Sequence, residues 1–423
     1  MESDARQTSV GLFARAGLWV LLCACLSTAA RAQGGWEQWG GPTRNFVVKT
    51  KGLAASWPEK GPRQLWKRDL GEGYSAVVSD GATLYTMYSR GTQEVVVALA
   101  SDTGKTLWEH TYEADAAGMN FEFGRGPHST PLVAGGRVFA VGSTGRMHAL
   151  DSKTGKVAWS HDLWKEYHGT KLERGYSCSP VAYKGTVIVF VGGRGQAVMA
   201  FDQRDGRVAW KRQDLELSPN SPLIVNVDGQ DQLVAFMGAQ VAGLDPSNGD
   251  LLWSHPHATD WGLNISPPVW GEDNLLFISS ASSGGSRVLK LARDRASGKT
   301  TPTELWFHRR VRVHHTNAVR LGDQVYGSSG DFGPAFVAAV DVKTGQILWQ
   351  DRSFSKANFI LADGKLIILD EDGNLALATA GPAGLKVISK APLLEKTAWT
   401  APTLVGTKLY VRDRRSIVAV DLG

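Results

Sequence analysis

A short turn-and-strand motif recurs along this chain and restricts the fold more than any other sequence feature. Its clearest copy, residues 149–159, reads Ala-Leu-Asp-Ser-Lys-Thr-Gly-Lys-Val-Ala-Trp. Asp151 can accept hydrogen bonds from the backbone of the turn, and Gly155 can adopt the positive φ that closes a short hairpin loop. Since one hairpin cannot bury its own apolar face in water, the motif predicts a unit that packs against copies of itself.

Further copies of the motif are spread over the whole chain. Clear copies lie at 97–108, 199–210, 241–253 and 337–349, and degraded copies lie at 288–306 and 375–388. The tryptophans that mark the repeat are 42 to 53 residues apart, at Trp66, Trp108, Trp159, Trp210, Trp253, Trp306 and Trp349. A period of about forty to fifty residues, with four strands per unit, is the signature of a β-propeller.

The two ends of the repeat region predict the number of blades. Residues 417–423 are the first half of a repeat, and residues 64–67 are a second half with no first half before them. Joined in one sheet, they complete a further blade and leave no open seam in the ring. The sequence therefore predicts an all-β, eight-bladed propeller of four-stranded antiparallel blades, over residues 63–423.

The first residues have the pattern of a secretory signal peptide. Arg6 and Arg15 precede the apolar run 17–26, and Ala30-Arg31-Ala32 is a small-x-small cleavage site, so we expect a cut after Ala32. Lipoprotein processing at Cys25 is the less favoured alternative. The apolar run is too short to span a bilayer, and no later stretch is long enough. A periplasmic or secreted monomer is predicted.

Residues 33–62, rich in glycine and proline, are predicted to form a strap across the propeller. The formal net charge of +5 and the scattered basic residues do not favour nucleic-acid binding, since no basic run is denser than Arg309-Arg310-Val-Arg312. Beyond the leader Cys178 is the only cysteine, and it is interpreted as a buried core residue.

The repeat resembles that of the pyrroloquinoline quinone (PQQ) dehydrogenase-like propeller superfamily. That pattern, Ala-x-Asp-x-x-Thr-Gly-x-x-x-Trp, is matched by residues 149–159 and, with small changes, by the four other clear copies. The resemblance covers essentially the whole chain after residue 32. It implies a superfamily that contains both quinoprotein dehydrogenases and non-catalytic scaffolds such as BamB, the propeller subunit of the outer-membrane β-barrel assembly machine.

Family knowledge also separates these two branches. Methanol-dehydrogenase-like members carry an adjacent Cys-Cys pair over the cofactor, a longer propeller and a calcium ion held by Glu, Asn and Asp. This chain has no adjacent cysteine pair after the leader, and its size fits the scaffold branch better. No cofactor is required on this interpretation, and PQQ with calcium is an alternative that no motif supports.

Loops from every blade should meet on one face. Because strands alternate in direction, the blade-to-blade loops share a face with the loops between second and third strands; we call this the loop-rich face. The Asp-x-x-Thr-Gly turns lie on the opposite, turn face. Ligand- or partner-binding residues are predicted around the channel mouth of the loop-rich face, at Arg125, His128, Arg174, Tyr176, Trp261, Asn264, Arg312, His314, His315, Lys356 and Trp399.

Arginine, histidine and aromatic side chains suit an anionic or quinone-like ligand, or an exposed segment of a partner chain. A metal site is not predicted, because adjacent strand residues such as His314 and His315 point to opposite faces. Residues 370–374 are interpreted as a hairpin turn rather than a calcium loop.

Three functions are compatible with this pattern. The favoured hypothesis is a binding or scaffold module that acts through the loop-rich face, with an envelope protein or a small anionic ligand as partner. The alternatives are a PQQ-dependent alcohol or sugar oxidoreductase and a polymer- or carbohydrate-binding module that uses Trp261 and Trp399 as stacking platforms.

Overall fold

The structure, a computed structural model, describes residues 35–331 and 333–423. The predicted leader, its cleavage site and Cys25 lie outside these residues. The described chain forms β-strands without a helix, and so none of its segments is a helix able to cross a membrane. Eight small sheets follow one another in a ring, which confirms the predicted eight-bladed β-propeller.

The strands follow the order of the repeats. Two strands precede the first complete blade, β1 (Val47–Val48) and β2 (Arg63–Asp69). Blades 1 to 3 contain β3 (Val78–Ser79), β4 (Thr83–Arg90), β5 (Gln93–Ala100), β6 (Thr106–Glu113); β7 (Leu132–Ala134), β8 (Arg137–Val141), β9 (Arg146–Asp151), β10 (Val157–Asp162); and β11 (Val181–Tyr183), β12 (Thr186–Phe190), β13 (Val198–Asp202), β14 (Val208–Arg212).

Blades 4 to 6 contain β15 (Leu223–Val227), β16 (Gln230–Phe236), β17 (Gln240–Leu244), β18 (Leu251–Pro256); β19 (Val269–Trp270), β20 (Leu275–Ser280), β21 (Gly285–Arg293), β22 (Thr300–His308); and β23 (Val313–Leu321), β24 (Gln324–Ser329), β25 (Phe336–Asp341), β26 (Ile347–Asp351). Blades 7 and 8 contain β27 (Ala357–Ala362), β28 (Lys365–Asp370), β29 (Asn374–Gly381), β30 (Gly384–Pro392); and β31 (Thr403–Val405), β32 (Lys408–Arg412), β33 (Ser416–Asp421) with β2.

The two ends of the repeat region meet in blade 8, as predicted. β2 pairs antiparallel with β33, from Arg63 opposite Asp421 to Asp69 opposite Ser416, and so becomes the outermost strand of that blade. Blade 7 departs from the four-strand expectation, because β1 pairs in parallel with its inner strand β27 and adds a fifth strand. Elsewhere each blade is an antiparallel meander of four strands.

The repeated glycine and tryptophan join neighbouring blades. Trp108 of blade 1 donates its indole N–H to the carbonyl of Ser152 in the turn of blade 2 (2.9 Å). A Cβ placed on Gly155, whose φ is +70°, would lie 2.6 Å from the Trp108 ring. Only glycine allows the ring to lie flat on the next turn. The same contact recurs for Trp66 on Gly104, Trp159 on Gly206, Trp210 on Gly249 and Trp306 on Gly345.

Small polar side chains connect the inner strands around the axis. The backbone N–H of Ala76 donates to Thr130 Oγ1 (3.0 Å), that of Thr130 to Ser179 Oγ (3.0 Å), and that of Ser179 to Ser221 Oγ (2.8 Å). These bonds satisfy backbone groups that the narrow inner strands leave without a partner in their own blade. They give a structural reason for Thr130, Ser179 and Ser221, which precede the inner strands of blades 2, 3 and 4.

The segment 35–62 lies against several blades. Its conformation places Trp36 and Phe46 in the core, each 1% exposed, and buries Arg44 at 4% exposed. Its contacts join Trp36 to Ser79, Glu37 to Val133, Arg44 to Pro180 and Phe46 to Leu361. Ser79 ends β3 and Leu361 lies near the end of β27, so the contacts to these two residues are on the turn-face side, whereas Arg44 reaches the residue that precedes β11.

Candidate binding site on the loop-rich face

Five aromatic rings pack together where the loops entering the inner strands meet. Trp399 stacks on Tyr74 with ring centroids 5.6 Å apart, and Tyr74 stacks in turn on His128 at 5.4 Å. Phe123 contacts Trp399 edge to face with ring centroids 5.5 Å apart, and the His315 ring lies 4.8 Å from the Trp399 ring. These side chains, all half-buried, come from loops or strand starts of blades 1, 2, 6 and 8. We call them the mouth cluster.

Charged side chains surround the mouth cluster. The Arg174 guanidinium lies over the Phe123 ring at 4.4 Å and forms an ion pair with Glu122 at 3.2 Å. Trp399 donates its indole N–H to Glu371 Oε2 (2.8 Å), and Glu371 Oε1 lies 3.6 Å from Lys356 Nζ. Cation–π and charge-assisted bonds of this kind orient the aromatic rings. The cluster is therefore held from several sides.

The histidines of the site are held in the neutral form. Burial, followed by the charge of Arg174, lowers the pKa of His128 to about 4. Burial also lowers the pKa of His315 to about 3, with smaller contributions from His314 and Lys356. The pKa of His314 is lowered by burial, against the opposing effect of Asp331. At neutral pH these rings act as hydrogen-bonding aromatic surfaces and leave the positive charge to Arg174 and Lys356.

The structure thus brings six of the predicted residues together: His128, Arg174, His314, His315, Lys356 and Trp399. The expectation that His314 and His315 point to opposite faces is wrong, because β23 is irregular between Val313 and Ala318 and the two rings lie 5.3 Å apart. Lys356 also donates to the carbonyl of Asp331 (2.8 Å), so it bridges the loops of blades 6 and 7.

Two other predicted residues are buried within the protein. Asn264 is 0% exposed, and its amide donates to the carbonyls of Met237 and His257, which fixes the loop between blades 4 and 5. Tyr176 is 2% exposed and belongs to the same core cluster as Cys178. Burial raises the pKa of Cys178 to about 11. These side chains support the loops and are not accessible to a large partner.

The remaining three predicted residues are exposed outside the mouth cluster. Arg125 lies over the Phe121 ring at 4.3 Å, beside an open depression of about 490 Å³ that Phe121 and Arg125 help to line. Trp261 is 69% exposed. Arg312 is exposed in the loop that enters blade 6, where its backbone N–H donates to Ser329 Oγ (2.9 Å).

The predicted binding residues did not include Tyr74, Phe123 or Glu371, although Phe123 lies in a loop that was expected at the channel mouth. Tyr74 and Phe123 complete the aromatic stack, and Glu371 links Trp399 to Lys356. An available signal was the position of the aromatics, which precede inner strands just as Trp399 does. The sequence could not show that loops more than 300 residues apart, such as those of Tyr74 and Trp399, stack on each other.

Two observations bear on whether a quinone with calcium could bind at the mouth. In the part of the chain that the structure describes, no three His, Cys, Asp or Glu side chains are arranged to hold a metal ion. The nearest cations are already engaged, Arg174 with Glu122 and Lys356 with Glu371. The carboxylates of PQQ would have to displace these pairs.

The repeats, the closed ring and the loop-rich mouth define a PQQ-like-repeat β-propeller. More specifically, the chain belongs to the family described as "Outer membrane protein assembly factor BamB", whose model matches residues 50–192 and 92–351.

Individual relatives agree with this assignment. The chain is 26% identical over 298 residues to the outer membrane protein assembly factor BamB of Yersinia pestis, an alignment that covers 68% of this chain and 72% of that protein. The crystal structure of BamB from Moraxella catarrhalis superposes with a TM-score of 0.59 at 17% identity, covering 84% of this chain and 97% of that one.

The fold is shared with enzymes as well. The quinohemoprotein alcohol dehydrogenase from Comamonas testosteroni gives a TM-score of 0.65 at 15% identity, covering 93% of this chain and 82% of that chain. At such low identity the likeness shows the common propeller fold alone, because propellers host many unrelated functions.

Proposed function

We propose that the protein is a periplasmic, non-catalytic scaffold that takes part in the assembly of outer-membrane proteins by docking a partner protein on its loop-rich face. The observation that carries the proposal is the mouth cluster, in which loops of several blades place Tyr74, Phe123, His128, His315 and Trp399 together. Aromatic side chains and arginine are the residues enriched at the centre of protein interfaces. Membership of the BamB family supports the same role.

The chemistry of the mouth favours binding over catalysis. A general base or nucleophile needs a group with a pKa poised near the working pH. The histidines here are held neutral by burial, and the carboxylate of Glu371 is occupied by Trp399 and Lys356. These groups hold the aromatic side chains in place on the closed propeller, and a docking surface requires side chains that are held in this way.

A deletion strain of the source bacterium tests the proposal. We expect loss of the gene to lower the amount of folded β-barrel protein in the outer membrane, measured by heat-modifiable migration on gels. The wild-type gene should restore it. Trp399→Ala should fail to restore it at equal protein level, because the substitution removes the ring that contacts Tyr74, Phe123 and His315.

Lys153→Ala is the matched control, since Lys153 is exposed in a repeat turn on the turn face. Equal restoration by Trp399→Ala and Lys153→Ala would reject docking at the mouth. The enzyme alternative is tested on purified protein incubated with PQQ and calcium: a shifted quinone spectrum with dye reduction by alcohols would overturn the scaffold proposal. A mature N-terminus at Gln33 in the periplasmic fraction is expected.

A further inference from the structure

The basic run Arg309-Arg310-Val-Arg312 has no role in the mouth cluster. Arg309, Arg310 and Arg312 are exposed in the loop between blades 5 and 6. Nearby arginines are paired with carboxylates, Arg287 with Glu304 and Arg320 with Asp273 at 2.7 Å. Within residues 35–331 and 333–423 the three arginines of the run have no such ion pair. They are therefore positive charges that no internal carboxylate neutralises.

The course of the loop arranges these charges along a radius of the propeller. Residue 308 ends the outermost strand β22 of blade 5, and residue 313 begins the inner strand β23 of blade 6. Residues 309–312 must therefore run from the rim of the loop-rich face to its mouth. Three strand spacings of about 4.8 Å give this radial path a length of roughly 14 Å. We call residues 309–312 the basic track.

Exposed aromatic side chains lie beside the basic track. Phe307, 39% exposed, is at its outer end, and the Arg309 guanidinium lies 5.9 Å from the Phe307 ring centre. Trp261, 69% exposed, lies in the loop between blades 4 and 5. That loop is joined to the blade 5 loop between β20 and β21 by the hydrogen bond from Asp260 N–H to Ser282 O (3.1 Å).

That blade 5 loop in turn reaches the track. A Cβ on Gly285 would lie 3.2 Å from Arg309 Cα, so the end of the loop packs directly on the start of the track. The inner end of the track, Arg312, precedes His315, a member of the mouth cluster, by three residues.

The acidic side chains beside the track are used within the protein. Asp260 accepts a hydrogen bond from Ser283 Oγ (2.5 Å), and Asp331 accepts one from Ser282 Oγ (3.2 Å). Glu304 is engaged by Arg287. Among the described residues none of these carboxylates forms an ion pair with the arginines of the track, so the guanidinium groups can pair with a ligand, and the flanking aromatics offer apolar contact to the same ligand.

We propose that the basic track binds an extended, acidic segment of a partner protein, which lies across blade 5 from Phe307 to the mouth cluster. The proposal rests on the proposed docking function and adds the chemistry of the partner. An extended chain advances about 3.3 Å per residue, so four or five residues cover the track. Arginine pairs well with carboxylates, and alternate side chains of the segment can contact the exposed aromatics.

The test uses a fluorescein-labelled peptide of about eight residues in which glutamates alternate with phenylalanines, and measures fluorescence anisotropy with the purified protein. We expect binding that weakens as salt rises from about 50 to about 300 mM. The triple variant Arg309→Gln, Arg310→Gln, Arg312→Gln should bind about tenfold or more weakly and lose the salt dependence.

Matched controls remove equal charge elsewhere. The triple variant Lys105→Gln, Lys153→Gln, Lys156→Gln changes exposed residues of the repeat turns and should bind like the wild type. A peptide with glutamine in place of glutamate should bind weakly to every variant. Equal binding by the wild type and the arginine variant, or equal binding of the two peptides, would overturn the proposal.

Two further outcomes separate related ideas. If phosphatidylglycerol vesicles bind through the three arginines while the acidic peptide does not, the track is a membrane contact and the proposal is wrong. In the deletion strain, full restoration by the arginine variant with failure of Trp399→Ala would reject the track and leave mouth docking intact. Full restoration by both variants would reject the docking function itself.

Discussion

Replacement of Gly155 by alanine tests the contact that explains the sequence repeat. The added Cβ would lie 2.6 Å from Cε3 and 2.7 Å from Cδ2 of Trp108, closer than van der Waals contact. Gly155 has φ +70°, which costs an L-residue about 1–2 kcal/mol. Forcing the Trp108 ring off the turn adds about 1–3 kcal/mol of overpacking. Gly155→Ala should therefore lower the free energy of unfolding by about 2–5 kcal/mol.

Gly136→Ala is the matched control. Gly136 has nearly the same φ, +74°, but no heavy atom within 4 Å of an added Cβ. Gly136→Ala should therefore lower the free energy of unfolding only by the cost of the positive φ, about 1–2 kcal/mol. Equilibrium urea denaturation of both variants, followed by tryptophan fluorescence, measures the difference. If Gly155→Ala proves no less stable than Gly136→Ala, the docking of each tryptophan on the next turn does not hold the blades together.

Three further predictions concern buried groups. Arg412, 0% exposed in blade 8, donates to the carbonyls of Ser75 and Met87 in blade 1, so Arg412→Met should lower the urea-measured unfolding free energy by at least about 2 kcal/mol; an unchanged value would contradict this role at the closing seam. Burial raises the pKa of Glu94, so the unfolding free energy of the wild type should decline as pH rises through that pKa. The stability of Glu94→Gln relative to the wild type should therefore increase with pH, and a difference that does not change with pH would refute this prediction. Cys178 should react with Ellman's reagent only after unfolding, and rapid labelling of the folded protein would contradict its burial.

The architecture could be predicted because the sequence patterns that specify it are short and repeated along the chain. The turn at Asp151–Gly155 forms as expected, with Asp151 Oδ1 accepting from the backbone of Lys153 and Thr154 (3.1 and 2.9 Å). The half-repeats at the two ends could pair in only one way, and β2 with β33 does so. Each of these features depends on residues close in sequence or on the count of copies.

The site was predicted less completely, because it depends on loops that the repeat does not specify. Trp399 and His315 were recognised by residue type and position, yet their contact with Tyr74 depends on the loop paths of three blades. Asparagine is a residue type found in binding sites, but the side-chain amide of Asn264 donates its hydrogen bonds to backbone carbonyls of the protein itself. A single sequence does not distinguish a polar residue that supports a loop from one that faces a partner.

Site-specific photocrosslinking in cells that express the protein is the most direct test of docking on the loop-rich face. A photoreactive amino acid would replace exposed Arg125 on the loop-rich face or exposed Lys153 on the turn face, in chains of equal abundance. The account predicts that position 125 captures one defined envelope protein and that position 153 does not. Capture of the same protein from position 153, with none from position 125, would contradict it.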